Sequence, residues 1–306
     1  MRLVFAGTPE AAVPSLAALA ASVHDVALVV TRHDAPLGRK RMLTPSPVAA
    51  AAQATGLEVL KTDRLDAAAT ERIAAAQPDL GVIVAYGGIL REPLLSHPPL
   101  GWINLHFSLL PRWRGAAPVQ RAVIAGDRAT GAGVFRLVAE LDAGEILAEL
   151  ELPIPPLATA GELLTTLADQ GARLLADTVD ALANGTARSR PQVGEPTYAH
   201  KLGLEDGRIR WNEPATAVLD RVRGTTPEPG AFTTIEDTRL KVLEARRAEH
   251  ALALRPGQIT TAGREVVVGT ATEPVALVHV QPAGRGAMPA ADWWRGLRRE
   301  EAQADA

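Results

Sequence analysis

Through the first half of the chain, short apolar runs alternate with stretches whose apolar residues recur at three- and four-residue spacing. The runs at residues 2–6, 26–31, 58–60, 80–85 and 131–138 read as strands. Residues 80–85 are apolar throughout, as expected of a central parallel strand covered on both faces. Between the runs, helices are predicted through Val13, Leu16 and Leu19 and over residues 48–55, 64–76 and 117–125. Gly7-Thr8-Pro9-Glu10 supplies a tight turn, with Thr8 as N-cap and Pro9 at the first helical position. Thr159-Ala-Gly-Glu162 has the form of a capping box; it opens a helix running to Ala183 and closing at Asn184-Gly185. Strands and helices alternating in this way predict an α/β domain with a doubly wound parallel sheet.

The pattern changes after that helix. Residues 187–205 are polar and proline-containing and read as a linker, so the expected division is 1–186, a linker, and 206–306. In the last part, short β-rich runs at 208–211, 231–235, 240–245, 258–261, 266–269 and 275–280 are separated by turns, with one helix at 215–222. Short strands at this spacing predict a small barrel. Trp293 and Trp294 are expected to pack a helix against it rather than to stack on bases.

Composition narrows the chemistry. The 306 residues suffice for two domains, and 47% hydrophobic content marks a globular chain. There is no cysteine, and the seven histidines show no ligand spacing, so disulfides are excluded and no metal site is expected. A net charge of −3 confines any nucleic-acid contact to local basic patches. The chain enters a strand directly from Met1, and no apolar run is long enough to span a bilayer, so a cytoplasmic monomer without membrane contact is expected. Gly7-Thr8-Pro9 lacks the further glycines of a dinucleotide-binding turn.

Candidate chemistry centres on Gly101-Trp-Ile-Asn104-Leu-His106-Phe-Ser108-Leu109-Leu110-Pro111-Arg112-Trp-Arg114-Gly-Ala-Ala-Pro118. In an extended strand Asn104 and His106 point to one face and Leu105 to the other. Polar groups at the carboxyl end of a strand are where open α/β sheets place their sites. An amide beside an imidazole suits a reaction that builds charge on a carbonyl oxygen and moves a proton. A carboxylate, Asp142, follows in Glu140-Leu-Asp-Ala-Gly144. Tyr86-Gly87-Gly88 after the apolar strand allows close approach of a ligand to the backbone. Residues 32–47, with Arg39, Lys40 and Arg41, form a long loop rich in proline, glycine and charge, which is a solvated charge run unless it grips a partner.

The string Asn-x-His-x-Ser-Leu-Leu-Pro, followed by Leu-Asp-x-Gly, resembles the folate-dependent formyltransferases. Ser108 to Pro118, Phe-Ala-Gly-Thr-Pro-Glu at residues 5–10 and Thr197-Tyr-Ala-His-Lys-Leu are similar to the branch acting on methionyl-tRNA. The resemblance implies a formyltransferase fold, with a Rossmann-like N-terminal sheet and an OB-like C-terminal barrel that binds tRNA. It implies 10-formyltetrahydrofolate as co-substrate and initiator methionyl-tRNA as partner in translation initiation. Asn104, His106 and Asp142 become the catalytic set. Tyr86, Gly87, Ser108, Leu109, Leu110 and Pro111 become the folate site. Arg39, Lys40, Arg41, Arg112, Arg114 and Arg285 become tRNA contacts. Two departures stand out: Phe107, where the family has a small residue or proline, and Thr225-Thr-Pro-Glu228-Pro-Gly-Ala, where it has Asn-Pro-Trp-Pro-Gly-Ala. The rival readings are transfer to an amino-sugar nucleotide, hydrolysis of the formyl donor, and a non-catalytic nucleic-acid-binding homologue.

Overall fold

The apolar runs of the N-terminal half become Arg2–Gly7 (β1), Asp25–Thr31 (β2), Val59–Lys61 (β3), Leu80–Val84 (β4), Trp102–His106 (β5) and Ala129–Arg136 (β6). A further strand, Ile146–Pro153 (β7), completes a seven-stranded sheet in the order β7-β6-β5-β4-β1-β2-β3. The computed structural model describes residues 1–38 and 41–305. These form two units: residues 1–118, 129–152 and 164–200, and residues 119–128, 153–163 and 201–306.

In the first unit, β3, β2, β1, β4 and β5 run parallel, with one register shift, between Leu3 and Val4, in the β1–β2 pair. Every residue of β4 is buried, as its unbroken apolar sequence requires. The sheet is not parallel throughout, however. β6 runs antiparallel to β5, with Asn104 opposite Phe135 and His106 opposite Gly133. β7, which the sequence reading did not anticipate, is half exposed in alternation, the pattern of a strand covered on one side. Leu105 points away from Asn104 and His106 and is buried against the helix Ala160–Ala183. A Cβ on Gly171 of that helix would lie 3.1 Å from Leu105 Cδ2.

Two local expectations are corrected. Thr8 does not cap a helix: Glu10–Ala12 forms a single 3-10 turn behind Pro9, the α-helix starts at Val13, and the Thr8 hydroxyl donates to the carbonyl of Tyr86 at 3.1 Å. Residues 32–47 are not all loop, because Ala35–Leu37 and Met42–Thr44 pair as an antiparallel hairpin. Three-residue strands with no buried residue, one of them containing a proline, leave no periodic signal. Arg39 and Lys40 lie outside the described residues.

The capping box is present. Glu162 accepts from the Thr159 amide at 2.9 Å and from its hydroxyl at 2.8 Å, and its own amide donates back to that hydroxyl.

The second unit is antiparallel. Its strands run in the order Ala231–Ile235, Thr238–Arg247, Val275–Pro282, Glu265–Val268, Gln258–Ala262, Ala302–Gln303. The amide of Asp305, just beyond the last strand, donates to Thr234 of the first at 2.9 Å, so the sheet curls closed as a barrel-like domain. Trp211, Val218, Val242, Val266 and Leu277 fill its interior. Trp293 and Trp294, on the helix Ala290–Leu297, are buried in this core with their rings 5.8 Å apart.

Candidate active site

Asn104 and His106 leave the carboxyl end of β5 on one face. The chain then folds back on itself, because the buried Ser108 hydroxyl donates to the Arg112 carbonyl at 2.6 Å and the Arg112 amide to Leu109 at 3.0 Å. Trp113 follows with φ +63°, a left-handed conformation that costs roughly 1–2 kcal/mol outside glycine. That twist aims its carbonyl at His106, whose Nε2 lies 2.9 Å away. A carbonyl only accepts, so Nε2 carries the proton and Nδ1 is the free ring nitrogen.

Nδ1 faces Asp142. The Oδ2–Nδ1 distance is 3.9 Å, and both side chains are largely buried. Asp142 also has a positive φ, +48°. Its Oδ2 accepts from the amide of Gly115 at 2.7 Å. Gly115 is the residue that permits this: its φ is +120°, and a Cβ there would lie 2.8 Å from the Ala199 carbonyl. Gly144 plays the matching part behind Asp142, since a Cβ there would lie 1.7 Å from the Arg136 carbonyl.

Asn104 Oδ1 is buried without a hydrogen-bond partner. A buried unpaired amide oxygen costs roughly 1–3 kcal/mol; it is an acceptor, open to an N–H or O–H of a ligand rather than to a carbonyl oxygen. With His106 on the same strand face, the site offers an unspent amide, an imidazole and a carboxylate, which is what carbonyl-oxygen stabilisation with proton transfer requires.

The other expected residues divide. Ser108 spends its hydroxyl inside its own turn. Leu110 is buried against Phe135 and Ile146, and Leu109 packs over Gly131. The Pro111 carbonyl accepts from Thr197 at 3.2 Å. The Tyr86 ring belongs to the core, its hydroxyl donating to Thr62 at 2.8 Å, and burial pushes this phenol above its ordinary value of 10.0. The Tyr86 carbonyl receives Thr8 and Arg32, and the Gly87 carbonyl receives Arg32. The Tyr86 ring and its carbonyl are therefore both committed within the protein.

Of the basic residues, Arg41, Arg112 and Arg285 are exposed, and the Arg112 guanidinium lies 5.2 Å from the Trp113 ring centroid. Arg114 is a correction. Its side chain is 9% exposed and bonded to Glu140 at 3.0 Å and to Gln192 at 3.2 and 2.8 Å, so it is not presented to a phosphate. Phe107 is buried.

Sequence reasoning missed Gln192 and the backbone of Trp113 and Gly115. It also read the segment 187–205 as a plain linker. Instead Tyr198–Ala199 pairs with Arg114–Gly115, Thr197 Oγ1 accepts from the Trp113 amide at 2.9 Å, and Ala199 accepts from Ala116 and Ala117. No periodicity or motif spacing marks Gln192.

Residues 1–179 match the formyl transferase family and residues 201–298 the formyl transferase C-terminal domain. The chain belongs to the formyl transferase family. Among its relatives, the "Methionyl-tRNA formyltransferase" of Clavibacter michiganensis subsp. michiganensis (strain NCPPB 382) is 61% identical over 297 residues, 97% of each chain. The protein of the same description from Clavibacter sepedonicus is 60% identical, covering 98% of this chain and 99% of that one. WlaRD, a sugar 3N-formyl transferase crystallised with dTDP and 5-N-formyl-THF, shares the fold: the TM-score is 0.67 at 13% identity, over 94% of this chain and 99% of that one. In this formyl transferase, no helix among the described residues is long and apolar enough to cross a membrane.

Proposed function

We propose that the chain transfers the formyl group of 10-formyltetrahydrofolate to the free amino group of methionyl-initiator tRNA. The observation that carries this reading is the match along 97% of both chains to a methionyl-tRNA formyltransferase, by a chain in which His106 faces Asp142 and Asn104 lies two residues before His106 on the same strand. The folate substrate supplies the formyl carbonyl. Asn104 donates its amide N–H to the carbonyl oxygen as the amine adds to the formyl carbon. His106 and Asp142 take the proton that the amine releases and return one to the folate nitrogen when the carbon–nitrogen bond breaks. The net transfer is one formyl group one way and one proton the other. The turn 108–111 and the backbone at 86–87 line the folate side. Arg39, Lys40, Arg41, Arg112 and Arg285 meet tRNA phosphates, which supply most of the affinity in such contacts.

The test is formyl transfer measured side by side with charged initiator methionyl-tRNA, an amino-sugar nucleotide and water. Formyl-methionyl-tRNA as the dominant product, lost when Asn104 or His106 becomes alanine, is the expected result. Preferential transfer to the sugar, or simple hydrolysis, would overturn the assignment of the acceptor.

A further inference from the structure

We infer that Gln192 is a positioning residue for the formyl transfer: it fixes the loop that presents Asp142 to His106. Its carboxamide uses all of its hydrogen-bonding capacity on this one task. Nε2 donates to the Asp142 carbonyl at 2.7 Å and to the Gly144 carbonyl at 2.9 Å. Oε1 accepts from Arg114 Nη2 at 2.8 Å and Nε at 3.2 Å. Two donors and two lone pairs are thereby satisfied.

The loop needs such a clamp. Val138, Ala139, Glu140 and Leu141 are exposed, so burial does not hold this approach to Asp142. Asp142 itself sits in a left-handed conformation that the chain does not favour unaided. The restraints on it are the Gly115 amide on its carboxylate and Gln192 on its backbone. Both come from the region around Arg114, the first through its neighbour and the second through its guanidinium. Gln192 therefore couples the β5 turn to the Asp142 loop from a third segment, which also pairs with Arg114–Gly115 at Tyr198–Ala199.

This rests on the reading of Asp142 as part of the proton relay, and the test separates the two. Gln192→Glu is isosteric and keeps the Arg114 acceptor, but it replaces the NH2 group, with its two N–H donors, by one oxygen facing the carbonyls of Asp142 and Gly144. Turnover and KM for both substrates are measured for Gln192→Glu, Gln192→Ala, Asp142→Ala and the Gln192→Ala/Asp142→Ala double variant, with thermal melting alongside. Misplacement of a catalytic group by about an ångström costs up to roughly a hundredfold. The expected result is a kcat loss of about ten- to a hundredfold in both Gln192 variants, with KM little changed and a lowered but still single melting transition. In the double variant no further loss is expected beyond that of Asp142→Ala. Full turnover in Gln192→Glu while Asp142→Ala is crippled would overturn the role of Gln192 alone. So would losses that multiply in the double variant. Near-normal turnover in Asp142→Ala would overturn the relay reading, and the positioning role with it.

Discussion

His106 Nδ1 and Asp142 Oδ2 face each other across 3.9 Å, while the opposite ring nitrogen is committed to the Trp113 carbonyl. The gap is too long for a hydrogen bond. The second imidazole proton therefore arrives on the side where the carboxylate waits. Replacing Asp142 by Asn preserves size and leaves an oxygen for the Gly115 amide, but it removes the proton acceptor. The expected outcome is a fall in kcat on the order of a hundredfold or more, with melting temperature near that of the parent. Steady-state formyl transfer and a thermal melt on the same preparation check this; unchanged turnover would remove Asp142 from the relay.

Asn104 predicts an opposite movement of activity and stability. Its Oδ1 is buried and unpaired, so Asn104→Ala relieves a desolvated polar atom as it removes the carbonyl-oxygen donor. Loss of such a donor costs about a hundred- to a thousandfold in kcat. Chemical denaturation should show stability equal to or above that of the parent. A large destabilisation would mean that Asn104 is structural.

How far the sequence reaches can be judged at these same residues. The shared face of Asn104 and His106 follows from the two-residue period of a strand, and the burial of Leu105 follows with it. The approach of Asp142 does not follow from any local pattern. It depends on β6 running antiparallel to β5 and on Gly144 lying against the Arg136 carbonyl, and the resemblance alone pointed to it. Arg114 misled because an arginine beside a tryptophan and another arginine reads as exposed. Its burial depends on acceptors, Glu140 and Gln192, that are remote in sequence. The strand β7 was missed because glutamates alternate along its open side, a weak signal beside a run such as Leu80–Val84.

The burial of Arg114 separates it from the exposed basic residues. A residue contacting phosphate contributes close to one unit to the slope of log affinity against log salt. Arg41→Ala and Arg112→Ala should each lower that slope in tRNA binding. Arg114→Ala should leave the slope unchanged and reduce kcat instead, because it releases Gln192 and Glu140. Filter binding across a salt series distinguishes the two behaviours.

Gly144→Ala tests how tightly the Asp142 loop is seated. The added Cβ would overlap the Arg136 carbonyl at 1.7 Å, and backbone cannot yield as a flexible side chain would. Overpacking of this kind costs about 1–3 kcal/mol. The loop can avoid it only by moving Asp142 away from His106. Loss of stability together with a fall in kcat at unchanged KM is expected; a fully active variant would show that the loop tolerates displacement.

Tyr86 gives a pH dependence whose sign follows from its burial. The phenol is raised above 10.0, first by desolvation, against the opposing pull of Arg32. Below pH 10 it is neutral folded and unfolded alike, and its bond to the Thr62 carbonyl is intact. As pH rises past 10, the unfolded chain ionises first, so stability drains away and is lost once pH passes the folded value. Tyr198 is the other of the two tyrosines and is half exposed, so in a Tyr198→Phe background the phenolate absorbance near 295 nm reports Tyr86 alone. That titration should lie above pH 10 and coincide with unfolding. Tyr86→Phe should lose about 1 kcal/mol at neutral pH and shed this part of the alkaline loss. A Tyr86 titration at or below pH 10 in the folded protein would mean that the ring is not held in the core.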